Sequence, residues 1–74
     1  MFMRRYKVLC EIVKGEEIIR LNFMGFANDV LEEDRLRGTI SRRVNDTNTP
    51  YLVSIVRVYD GNELRREYKN WLFD

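Results

Sequence analysis

The sequence predicts a small α+β domain, an antiparallel sheet of two hairpins with one helix packed on it, in the order ββαββ. Three observations predict it. Residues 5–26 and 51–72 each read as an apolar strand, a glycine turn and a second strand. Residues 29–44, between them, carry apolar side chains four apart, the spacing of one helix face. Seventy-four residues give length for a single domain, 1–74, and for one core. A small five-stranded β-barrel is the alternative, reached if the middle segment pairs as a strand.

Arg5 to Lys14 opens the first hairpin. Tyr6, Val8, Cys10 and Ile12 alternate with Lys7, Leu9, Glu11 and Val13, the period of two that a strand requires. Gly15 supplies the turn, being free to adopt positive φ. Glu17 to Phe26 then places Ile19, Leu21 and Phe23 on one face and Ile18, Arg20, Asn22 and Met24 on the other. Leu9, Val13 and Met24 on the outer face imply that part of that face is covered as well.

Over 29–44 the charge order suits a helix dipole. Asn28 is a good N-cap, Asp29, Glu32, Glu33 and Asp34 precede, and Arg42 and Arg43 close the segment. Leu36, Ile40 and Val44, joined by Val30, form the apolar stripe. Gly38 opposes the helix by about 1 kcal/mol relative to alanine. Thr39, Ile40, Ser41 and Val44 also suit an edge strand paired with 51–59. The run from Asn45 to Pro50 breaks either element.

Tyr51 to Tyr59 is rich in β-branched and aromatic residues, as a central strand is, and Pro50 opens it where a missing N–H costs least. Asp60-Gly61 marks a second hairpin. Beyond it, Leu64, Tyr68, Trp71 and Leu72 fit helical spacing, with Asn62 as a cap. Leu64, Arg66, Tyr68, Asn70 and Leu72 fit alternation equally well. Laying Gly15 on Gly61 matches Glu17 with Glu63, Ile18 with Leu64 and Arg20 with Arg66. That internal likeness favours a strand over 63–72.

Composition excludes several kinds of chemistry. Cys10 is the sole cysteine and there is no histidine, so no intrachain disulfide and no all-protein zinc site is expected. The usual base near neutral pH is missing, and Cys10 among apolar neighbours reads as a core residue. Glu32-Glu33-Asp34 reads as a solvated face, and Gly15, Gly25, Gly38 and Gly61 form no phosphate loop. The expectations are therefore no enzyme activity, no metal or other cofactor, and no evident small-molecule substrate. Net charge of +1 points neither to a polyanion binder nor to a polyanion mimic. No run approaches signal-peptide or membrane-spanning length, so the expected place is the cytoplasm, where a lone cysteine stays reduced.

Arginine and aromatic residues carry the remaining signal. Ten of thirteen basic residues are arginine, whose planar fork suits phosphate and carboxylate and stacks on rings. Arg35, Arg37, Arg42 and Arg43 are the candidate anion or nucleic-acid contacts, with Arg35 and Arg42 on one solvent-facing side of the expected helix. Tyr59, Arg66, Tyr68 and Trp71 are the candidate protein interface, since such residues dominate interface energetics. A short chain without disulfide or zinc has little stability in reserve, which favours a homodimer or a bound partner. The expected function is a non-enzymatic protein-binding module that regulates or inhibits a partner protein. The alternative is a small DNA- or RNA-binding protein using an arginine-rich helix. In scale and texture the chain resembles small accessory proteins of phages and mobile elements, which bind and modulate host proteins.

Overall fold

The computed structural model describes residues 4–27, 33–44 and 50–73. Its elements are β1 (Arg4–Lys14), β2 (Glu17–Ala27), α1 (Glu33–Val44), β3 (Tyr51–Asp60) and β4 (Glu63–Phe73). The strands form one sheet in the order β2-β1-β3-β4, and every neighbouring pair is antiparallel. This is the ββαββ architecture, with β3 central as its β-branched run implies. The sheet is open, so the barrel alternative does not apply. The proposed cap Asn28, together with Asp29, Val30, Glu32 and the loop 45–49, lies outside the described residues.

Both hairpins turn on a glycine. Lys14 pairs with Glu17 and Asp60 with Glu63, leaving the two-residue loops Gly15-Glu16 and Gly61-Asn62. Gly15 and Gly61 have φ of 60° and 62°, while Glu16 and Asn62 keep negative φ. Positive φ at the first loop position alone is the pattern of a type II′ turn, whose twist matches that of the strands it joins. The shift that carries Gly15 onto Gly61 also carries Cys10 onto Val56. Those two residues are partners across the β1–β3 seam. An approximate two-fold axis therefore passes through the sheet at Cys10 and Val56, relating one hairpin to the other.

The core lies between the sheet and α1. Tyr6, Val8, Cys10 and Ile12 of β1 meet Tyr51, Val53, Val56 and Val58 of β3, with Phe23 and Trp71 on the outer strands. Leu36 and Ile40 of α1 are fully buried against them. Burying each such side chain contributes about 1.5–3 kcal/mol, more than the ~1 kcal/mol that Gly38 costs the helix. A methyl group at Gly38 would meet only Arg42 Nη1, at an ordinary 3.5 Å. The helix thus forms because its apolar stripe is buried, and the glycine is carried along.

Regular pairing breaks on the β3–β4 side. Between β1 and β3, Glu11 pairs with Ile55 but Ile12 pairs with Val53, leaving Ser54 as an extra residue. Its hydroxyl donates to the Glu11 carbonyl at 3.0 Å, satisfying a group that the bulge would otherwise strand. Asn70, beside Ser54 on β4, takes φ of 59°, a left-handed conformation that asparagine tolerates better than most residues. A second shift leaves Arg65 extra, between the Val58–Arg66 and Tyr59–Leu64 pairs. By contrast, β1 and β2 pair without a break from Arg4–Ala27 to Lys14–Glu17.

Candidate interaction surfaces

Two faces of the sheet offer different surfaces. On the helix side, the predicted arginines divide by partner. The Arg37 guanidinium lies 5.2 Å from the Trp71 ring centre and 4.6 Å from that of Phe73, and donates to the Leu72 carbonyl at 3.3 Å. Arg43 sits 5.1 Å over Phe23. The helix therefore reaches both edges of the sheet through cation–π contacts, two on β4 and one on β2. Arg42 donates to Thr39 Oγ1 at 3.2 Å, and Thr39 in turn donates to the Arg35 carbonyl. Arg35 and Arg42 are exposed, as the helical spacing implied.

The predicted interface residues are also separated. Trp71 is only 8% exposed and belongs to the core. Tyr68 packs half-buried against it with ring centres 4.6 Å apart, and Arg66, opposite Val58, shares this side of the sheet. Tyr59 stands on the opposite side, because it follows the buried Val58 in the alternation.

Among the described residues, that opposite side carries no helix. The strand registers arrange its side chains in four rows running β2, β1, β3, β4. The first row is Met24, Lys7, Tyr59 and Leu64. Next come Asn22, Leu9, Arg57 and Glu67, then Arg20, Glu11, Ile55 and Lys69. The last row, Ile18, Val13, Leu52 and Leu72, is apolar across the whole width of the sheet. At its ends Ile18 is 57% and Leu72 is 60% exposed, and Met24 and Leu64 close the first row at 45% and 46%.

The middle rows are charged in an ordered way. Arg20 Nε donates to Glu11 Oε2 at 3.3 Å, and Arg57 Nε to Glu67 Oε2 at 2.9 Å. The Arg57 hydrogen bond holds the Glu67 carboxyl below its ordinary value, with Lys69 assisting. Two ion pairs thus occupy equivalent places in the two hairpins with their signs exchanged. Between them lies an open hollow of about 340 Å³, bordered by Leu9, Asn22, Ile55, Glu11, Arg20 and Arg57. Cys10 lies below it on the buried side, 5% exposed, and burial pushes its thiol up to about 11, although a hydrogen bond with the Leu21 backbone acts the other way. Such a thiol stays protonated and is a poor nucleophile.

Sequence reasoning had marked Leu9, Val13 and Met24 as an outer apolar face but had not joined them to Leu52 and Leu72. The signal was available in the alternation of β3 and β4. It was hidden by the extra residues at Ser54 and Asn70, which reverse the parity of both strands partway along. Among the described residues, no helix is long and apolar enough to cross a membrane. No protein-family model, curated protein or solved structure matches this chain.

Proposed function

We propose that the chain is a small non-enzymatic protein-binding module, acting in the cytoplasm as a regulator or inhibitor of a partner protein. The observation that carries this reading is the difference between the two sheet edges. β4 is interrupted at Arg65 and Asn70, the kind of irregularity that blunts an edge against further pairing. β2 is an edge strand of eleven residues with unbroken register to β1. A regular edge of that length is a template onto which a partner's extended segment adds as a further strand. Exposed Ile18 and Met24 beside that edge supply side-chain contacts.

The protonated, buried Cys10 supports the non-enzymatic half of the reading. A Cys10→Ser chain that is folded and still binds its partner is the expected result. The DNA- or RNA-binding reading is less well supported, because Arg37 and Arg43 are engaged with rings of the core. It requires binding that weakens steeply with salt.

Affinity purification from the native host, with mass spectrometry of the captured protein, tests the proposal. Hydrogen exchange on the resulting complex is expected to show new protection within residues 17–27. Protection of 63–73 instead, or capture of nucleic acid alone, overturns it.

A further inference from the structure

We propose that the open face of the sheet closes on a second copy of this chain, giving a face-to-face homodimer. This deepens the association part of the reading above and does not depend on the β2 edge. The first argument is area. The chain measures 40 × 20 × 16 Å, and four strands of ten or eleven residues give the open face an outline of roughly 35 × 19 Å. An outline of that size matches the ~800 Å² per partner of a standard protein interface. Within it the row Ile18, Val13, Leu52 and Leu72 is a continuous apolar strip, the part a partner surface has most reason to cover.

The second argument is charge. Read from β2 to β4, the two ion pairs present Arg20, Glu11, Arg57 and Glu67, alternating in sign. A two-fold axis lying between two such sheets and running along the strands exchanges left and right. It lays β2 over β4 of the second copy and β1 over its β3. Arg20 then approaches Glu67 of the second copy, and Glu11 approaches Arg57. Each pair is offset by one row, about 7 Å along the strand, within an arginine's reach. Arg20 also faces Lys69 of the second copy, whose ammonium is already held 3.6 Å from Glu67.

The same operation stacks the apolar row on itself, with Ile18 over Leu72 and Val13 over Leu52. At the other end Met24 meets Leu64, and Lys7 lies over the Tyr59 ring. The other in-plane axis, across the strands, would set the apolar row against Lys7 and bury its ammonium beside Val13. That axis also sets Lys69 over Glu67 of the second copy, but it leaves Arg20 and Glu11 facing Asn22 and Leu9. The first arrangement instead brings both ion pairs toward opposite charges and lays Lys7 on a ring, which favours it.

Sedimentation velocity over a concentration series is expected to show a monomer–dimer equilibrium for the native chain. Leu72 is exposed, so Leu72→Lys should keep the fold, checked by circular dichroism, and weaken dimerisation by roughly ten- to a hundredfold. Geometry is tested separately by oxidising Ile18→Cys and Leu72→Cys chains. The mixture should yield a disulfide-linked dimer, while each variant alone should not. A native chain that stays monomeric, a dimer indifferent to Leu72→Lys, or cross-links within each single variant but not the mixture would overturn the proposal. A monomer that still captures a partner through residues 17–27 sinks this inference and leaves the preceding reading intact.

Discussion

The β1–β2 hairpin keeps an unbroken register along its length, whereas β3–β4 begins from the same kind of turn and departs from regular pairing twice. Both turn on a glycine of positive φ, and both carry an arginine–glutamate pair on the open face. They differ in what they are finished for. β2 retains a straight row of backbone groups at the sheet edge. β4 gives up that regularity at Arg65 and Asn70, and its Trp71 is clamped into the core beneath Arg37. On the proposed reading, one hairpin is left able to add a strand and the other is closed to it.

The largest expected effect falls on the clamped side. Trp71→Ala should cost about 3–5 kcal/mol in urea unfolding, enough to unfold much of a marginally stable domain. A loss below about 1 kcal/mol would mean that the helix is not seated over β4. Asn70→Val should cost about 1–2 kcal/mol, because a β-branched residue resists the left-handed conformation. Asn70→Gly should stay within about 0.5 kcal/mol of native.

The turns should behave alike where the strands do not. Gly15→Ala and Gly61→Ala add a methyl group into open space, so the expected cost is conformational, about 1 kcal/mol each. Clearly unequal costs in thermal or urea unfolding would break the equivalence of the turns. The smallest effect concerns the exposed Glu67. Its carboxyl is held below the ordinary 4.5 by Arg57, so the stabilisation is present above that pH and is lost as pH falls through the depressed value. Glu67→Gln should therefore lose slightly less stability than the native chain between neutral and acid pH, measured by urea unfolding across that range.

Much of this fold is legible in the chain. The glycine likeness between 15 and 61 led to the second hairpin, and alternation placed Tyr6, Val8, Cys10 and Ile12 on the buried face. Gly38 argued locally against the helix, and tertiary burial of Leu36 and Ile40 overrode it. The candidate surfaces were less legible. An arginine near a helix end looks the same in sequence whether it meets solvent or lies over a ring, and Arg37 and Arg43 lie over rings. Trp71, read from the sequence as an interface residue, belongs instead to the core beneath α1. Ser54 and Asn70 carry little local signal of a bulge, because a serine in an apolar strand and an asparagine in an ambiguous segment suit several conformations.

The seam at Cys10 and Val56 has a kinetic consequence. Each hairpin closes over two residues, and such hairpins form in about 1–10 μs. The seam joins strands separated by the whole of β2 and α1, so it carries the loop-closure entropy of the fold. Docking of two preformed hairpins is then expected to set the folding rate. Val56→Ala should slow refolding in stopped-flow measurements, and changes at either turn, which forms before docking, should also slow refolding and leave unfolding nearly unchanged. The chain would then assemble much as two small proteins associate, with the segment between β2 and β3 acting as the tether that sets their effective concentration.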